Sequence, residues 1–92
     1  MLNSCGLSST LVSASDENNY DLAVSTWNSL ISSGTSSYIG YINVHRYEYG
    51  SGNRTRLYSL SQAAGVALWN SEYGEADGTG AELASNLILD FR

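Results

Sequence analysis

Proline and lysine are both absent from this chain of 92 residues. Independent loop-rich domains ordinarily use proline to preset their turns, so its absence points away from that class. Without lysine, four arginines stand against nine acids, for a formal net charge of −5. Nucleic acid and anionic membrane surfaces require clustered cations, so neither is an expected partner. Cysteine occurs once, as Cys5, which rules out an internal disulfide and says little about compartment. Histidine also occurs once, as His45, so a histidine-built zinc site is not expected. No run approaches the roughly 18 continuous apolar residues of a membrane helix. The first residues lack the basic flank and apolar stretch of a secretory leader. Asn53-Arg54-Thr55 is a glycosylation sequon, a short pattern that recurs by chance and hints only weakly at secretion.

Apolar residues make up 42% of the chain, too many for a disordered tail. They alternate between short runs and helical stripes, three times over. Thr10 to Ala14 reads as a strand, followed by the polar loop Ser15 to Asn19. Ala23, Val24, Trp27, Leu30 and Ile31 then fall on one 3.6-residue stripe within Tyr20 to Ile31, predicting a helix with Trp27 in the core and Gly34 near its end. Tyr38 to Val44 is aromatic and β-branched, a second strand. His45 to Gly52 is read as its loop, and Leu57, Leu60 and Ala64 as a second helix face stopped by Gly65. Val66 to Asn70 is the third strand, followed by Ser71-Glu72-Tyr73-Gly74. Thr79-Gly80-Ala81-Glu82 has the form of a capping box, and Ala84, Leu87, Ile88 and Phe91 form the apolar face behind it.

This spacing predicts an α/β fold of three consecutive right-handed βα units with a parallel sheet. Three parallel strands do not close on themselves and leave two open edges. The alternatives are a small open sheet, a self-assembling fragment or a slice of a larger barrel. The stop at Arg92, inside a periodic stretch, favours the slice.

In parallel α/β folds the functional side chains gather at the C-terminal ends of the strands. Those ends carry Asp16 and Glu17, then His45, Tyr47 and Glu48, then Asn70, Glu72 and Tyr73. Acids beside aromatic rings and an imidazole suit a sugar, which offers hydroxyls to polar groups and C–H faces to rings. Cleaving a glycosidic bond needs two carboxyl groups in different protonation states.

The runs Val66-Ala67-Leu68-Trp69-Asn70-Ser71-Glu72-Tyr73-Gly74, Leu11 to Glu17, Ile42 to Tyr47 and Ala84 to Arg92 carry a resemblance. In that family's order they are similar to the seventh strand, fifth strand, sixth strand and seventh helix of family 30 glycoside hydrolases, in the fungal endo-β-1,6-galactanase-like branch. The resemblance implies that residues 1–92 are part of a catalytic (β/α)8 barrel, truncated at both ends. It implies Glu72 as the nucleophile of a retaining double displacement. His45 and Tyr47 match the lining of the sugar subsite, Asp16 and Glu17 an acidic strand end that binds substrate, and Trp69 and Asn70 the wall beside the nucleophile. Arg46 stands where relatives often carry glycine or an aromatic. The implied substrate is a polysaccharide or oligosaccharide, such as a β-1,6-galactan; the implied location is extracellular; no cofactor and no metal are expected. The family's acid/base glutamate follows an asparagine, and the chain has no Asn-Glu pair. A non-catalytic remnant or carbohydrate-binding fragment is therefore the alternative, and the chain alone is expected to be inactive and marginally stable.

Single residues also have plainer readings. Ser71 with His45 and Asp16 lacks the Gly-x-Ser-x-Gly elbow of a serine hydrolase. Gly50-Ser51-Gly52-Asn53 lacks the lysine and glycine spacing of a phosphate loop. Glu75 and Asp77 are read as a solvated acidic turn, with calcium a minor alternative. Oligomeric state is left open, with pairing of bare sheet edges between copies as one outcome.

Overall fold

Asn19 starts the first long helix, because its side-chain oxygen accepts the Leu22 backbone N–H at 3.0 Å. The computed structural model describes residues 3–47, 52–74 and 77–91. Their order is β1 (Val12–Glu17), α1 (Tyr20–Ser32), β2 (Ile39–Arg46), α2 (Arg54–Ala64), β3 (Ala67–Tyr73) and α3 (Ala81–Asp90), with one-turn 3-10 helices at Asn3–Cys5 and Ser36–Tyr38. The strands form one parallel sheet in the order β1-β2-β3. The α/β reading and the parallel sheet therefore hold.

The core follows from two periodicities meeting. Tyr20, Ala23, Val24 and Trp27 form the buried stripe of α1, and Ile39, Ile42 and Val44 the buried side of β2. Leu57 of α2, fully buried, closes the cluster. Gly65 takes the left-handed conformation (φ 68°) that caps α2 as expected of a C-terminal glycine. Ile31, expected on the α1 stripe, is exposed, whereas Leu30 in the same turn packs against the core.

The strands run further than their apolar residues suggest. β1 starts two residues later than expected and ends at Glu17; β2 ends at Arg46 and β3 at Tyr73. His45 and Glu72, read as loop residues, are therefore strand residues. Glu48 and the Gly50-Ser51 part of the phosphate-loop reading lie outside the described residues, as does Glu75.

The start of α3 also differs. Its N-cap is Gly80, which has no side chain to cap with, and the Thr79 hydroxyl accepts only from the Ala81 N–H at 3.2 Å. Asp77 does the capping: its Oδ2 accepts from the backbone N–H of Glu82 at 2.9 Å and of Leu83 at 3.3 Å. A carboxylate there also complements the positive end of the helix dipole. The Thr79 hydroxyl, then the backbone donors, hold the Asp77 carboxyl below its usual range. The expected apolar face of α3 is largely uncovered, with Phe91 89% and Ile88 67% exposed; Asn86 is its one buried residue. The radius of gyration, 14.6 Å, exceeds the ~12 Å expected of a compact chain of this length, in keeping with an unclosed sheet and a helix whose apolar face is largely uncovered.

Candidate active site

From Tyr41 onward, alternation places Tyr41, Asn43 and His45 on one face of β2, opposite the helices, and Ile42, Val44 and Arg46 on the other; before it, Gly40 is an extra residue between the pairs Val12–Ile39 and Ser13–Tyr41, so that Ile39 is buried as well. The neighbouring strands break alternation near their C-terminal ends. On β1, Ser15 pairs with Asn43 and Glu17 with Val44, leaving Asp16 as an extra residue. On β3, Asn70 pairs with Val44 and Glu72 with His45, leaving Ser71 as an extra residue. Each is a β-bulge, and a bulge re-aims the side chains beyond it. Asp16 carries a positive φ of 61°, a region that short polar side chains tolerate better than most.

The bulges bring two acids to the imidazole. His45 Nε2 lies 3.4 Å from Asp16 Oδ1, and His45 Nδ1 lies 3.6 Å from Glu72 Oε2. Asn43 donates its side-chain N–H to Asp16 Oδ1. Tyr47 donates its hydroxyl to Glu72 Oε2 at 2.6 Å, and its ring meets His45 edge-on at 5.8 Å. That hydrogen bond raises the Tyr47 phenol above its ordinary value, with desolvation and the Glu72 charge adding to it. The reach of Tyr47 depends on Gly74, since a Cβ at that position would run into the tyrosine ring. His45 is mostly buried, whereas the Asp16 and Glu72 side chains are about half exposed. An imidazole held between two open carboxylates, one also fixed by a phenol, can bind hydroxyls and present a carboxylate oxygen to an electrophile.

Further along the same face, Trp69 and Tyr41 stack with centroids 4.5 Å apart and rings tilted by 39°. Trp69 is 52% exposed, so it is a surface ring and not core. The structure thus brings Asp16, His45, Tyr47, Glu72 and Trp69 to one face. It takes two expected site residues elsewhere. Glu17 faces α1, accepting the Thr26 hydroxyl at 2.6 Å, and Asn70 faces α3, donating to Asp90 at 3.2 Å. The β1 bulge turns Glu17 to the helix side, whereas Asn70, before the β3 bulge, lies there by plain alternation from Trp69. Sequence reasoning passed over Asn43 and Tyr41, which two-residue spacing from His45 would have identified. No group of three or more potential metal ligands occurs among the described residues, and no helix among them is long and apolar enough to cross a membrane.

Over 90 residues the chain is 54% identical to an endo-beta-1,6-galactanase of Hypocrea rufa. The match covers 98% of this chain and 18% of that protein, so the chain spans under a fifth of the relative's length. No protein-family model matches the chain, and no solved structure matches it. The resemblance read from the strand-end motifs thus has a counterpart along nearly the whole chain, which is similar to a segment of an endo-beta-1,6-galactanase.

Proposed function

We propose that this galactanase-like segment contributes the nucleophile half of a retaining glycoside hydrolase site acting on a β-linked glycan, with β-1,6-galactan as the substrate. The observation that carries the reading is the placement of Glu72: a bulge turns it to the face of His45, where the Tyr47 hydroxyl fixes one carboxylate oxygen at 2.6 Å. The other oxygen is then free to attack. Three consecutive parallel strands with their buried side toward the helices support residues 1–92 being one part of a (β/α)8 barrel. An extracellular location follows from such a substrate.

In the proposed reaction the free Glu72 oxygen forms a bond to the anomeric carbon as the glycosidic C–O bond breaks. The leaving oxygen takes a proton from an acid that this chain does not encode, since no Asn-Glu pair occurs in it. The resulting glycosyl ester is cleaved by water, which gives its proton to that same residue and returns Glu72 as a carboxylate. Tyr47 orients Glu72 and offsets its charge. Asp16, with Asn43, holds the Nε2 side of His45, so that Nδ1 faces the nucleophile. Trp69 and Tyr41 give a flat surface for a sugar C–H face. Asn70 and Glu17, on the helix side, take no part in contacting substrate.

Glu72→Gln in a longer protein that carries this segment and turns over β-1,6-galactan is expected to cut kcat by about a thousandfold or more. Near-normal turnover would end the nucleophile assignment. The missing acid favours a second reading, a fragment that binds glycan without cleaving it. The purified chain alone is expected to show no glycosidase turnover, and sustained turnover by it would remove that reading.

A further inference from the structure

On the helix side of the sheet lies a cavity of about 390 Å³, its walls including Tyr20, Arg54, Thr55, Tyr58, Asn70 and Asp90. That volume falls within the roughly 300–1,000 Å³ of small-molecule sites. The polar groups are held in place by one another. Arg54 Nε lies 3.0 Å from Asp90 Oδ1, and its guanidinium donates to the Tyr20 hydroxyl from Nε at 3.2 Å and Nη2 at 3.1 Å while lying over the Tyr20 ring. Asn70 Nδ2 donates to Asp90 Oδ2 at 3.2 Å. The network ties α1, α2, β3 and α3 together, so the planar groups are preorganised. The Thr55 and Tyr58 hydroxyls and the Asn70 side-chain oxygen make no hydrogen bond among the described residues.

Charge decides the ligand class. Arg54 and Asp90 cancel, so the cavity prefers neither an anion nor a cation. It offers a guanidinium, a carboxylate, an amide and two hydroxyls, a mixture of donors and acceptors that matches adjacent hydroxyls on a neutral ring. Tyr58, 54% exposed on α2, adds a flat apolar surface for a C–H face. We propose that this cavity is a second, non-catalytic site for a neutral sugar unit, on the sheet face opposite Glu72. The choice of a galactosyl unit over another polyol rests on the function proposed above.

The test is a titration of the nitrogen-15-labelled 92-residue chain with D-galactose and with β-1,6-linked galactobiose. The Arg54 Nε–H and Asn70 side-chain amide report the helix side; the His45 ring and Trp69 indole report the other face. The Arg54 and Asn70 signals are expected to move saturably at millimolar sugar. Tyr58→Ala, at a surface position, is expected to weaken that response about tenfold with unchanged circular dichroism. Thr55→Val is expected to weaken it as well, and Trp69→Ala to leave it intact. Arg54 and Asn70 signals that stay still, or that respond in Tyr58→Ala and Thr55→Val as strongly as in the parent chain, overturn the proposal and leave a packing gap. Movement of His45 and Trp69 alone sinks the second site and supports the first; movement of Arg54 and Asn70 alone does the reverse.

Discussion

Replacing Arg46 with methionine is expected to stabilise the fold. Arg46 sits on the buried side of β2, beyond Ile42 and Val44, with only 2% of its surface exposed. Its Nε and Nη1 atoms are buried and have no hydrogen-bond partner, and the guanidinium lies 5.3 Å from the centroid of the Tyr73 ring. Each unsatisfied buried donor costs about 1–3 kcal/mol, and more on a charged group. The ring contact returns about 0.5–2 kcal/mol. Costs exceed returns, so a flexible apolar side chain of similar length should gain about 1–2 kcal/mol. Urea unfolding of the two chains measures it. With a slope of about 1–2 kcal/mol per molar for a chain this small, the midpoint should rise by roughly 1 M with the slope unchanged. Arg46→Lys separates charge from shape. The ammonium is more strongly hydrated and gains less from the ring, so that variant should unfold earlier than the parent. A methionine variant that unfolds at lower urea than the parent would refute the reasoning, because the guanidinium would then be compensated by more than the Tyr73 face.

Two further predictions concern titrating groups. The Tyr47 phenol is raised above 10.0 by the hydrogen bond to Glu72; its stabilising bond is complete below pH 10 and lost as pH climbs through the raised value, and an ultraviolet titration of Glu72→Gln against the parent should show the phenol returning toward its ordinary range. Asp77, held below its ordinary 3.8 first by the Thr79 hydroxyl, supports α3 above that pH and releases it as pH falls through the lowered value. Asp77→Ala should therefore reduce helical circular dichroism at neutral pH, while the difference between variant and parent fades in acid; equal helicity at neutral pH would contradict its role as cap.

Much of this layout was legible in the chain, and the reasons differ by element. The stripe Ala23, Val24, Trp27 announces α1 because packing against β2 selects apolar residues at helical spacing. Gly65 announces the end of α2 because a left-handed residue is needed there. Strand ends were underestimated where polar residues continue the ladder: Asp16, Glu17, His45 and Glu72 carry no apolar signal, yet they extend the strands. The α3 cap was misplaced because Thr79 and Asp77 both fit a cap by type, and only the direction of the loop shows which side chain reaches the free N–H groups.

The two bulges explain why the site itself was harder to read than its neighbourhood. A one-residue slip is visible in a sequence when it moves an apolar residue to the wrong face. Around Asp16 the run is Ser-Asp-Glu-Asn, and around Ser71 it is Asn-Ser-Glu, so a slip changes nothing that hydrophobicity records. Uninterrupted alternation would put Asn70 and Glu72 on one face; the extra Ser71 separates them, sending Asn70 to Asp90 and Glu72 to Tyr47. The central strand, anchored by Ile42 and Val44, alternates regularly from Tyr41 onward and fixes His45. The flanking strands bend their acids toward it. The position of Glu72 therefore depends on the register of a polar bulge more than on the core beneath it, and periodicity, which does not record that register, put the residue in a loop.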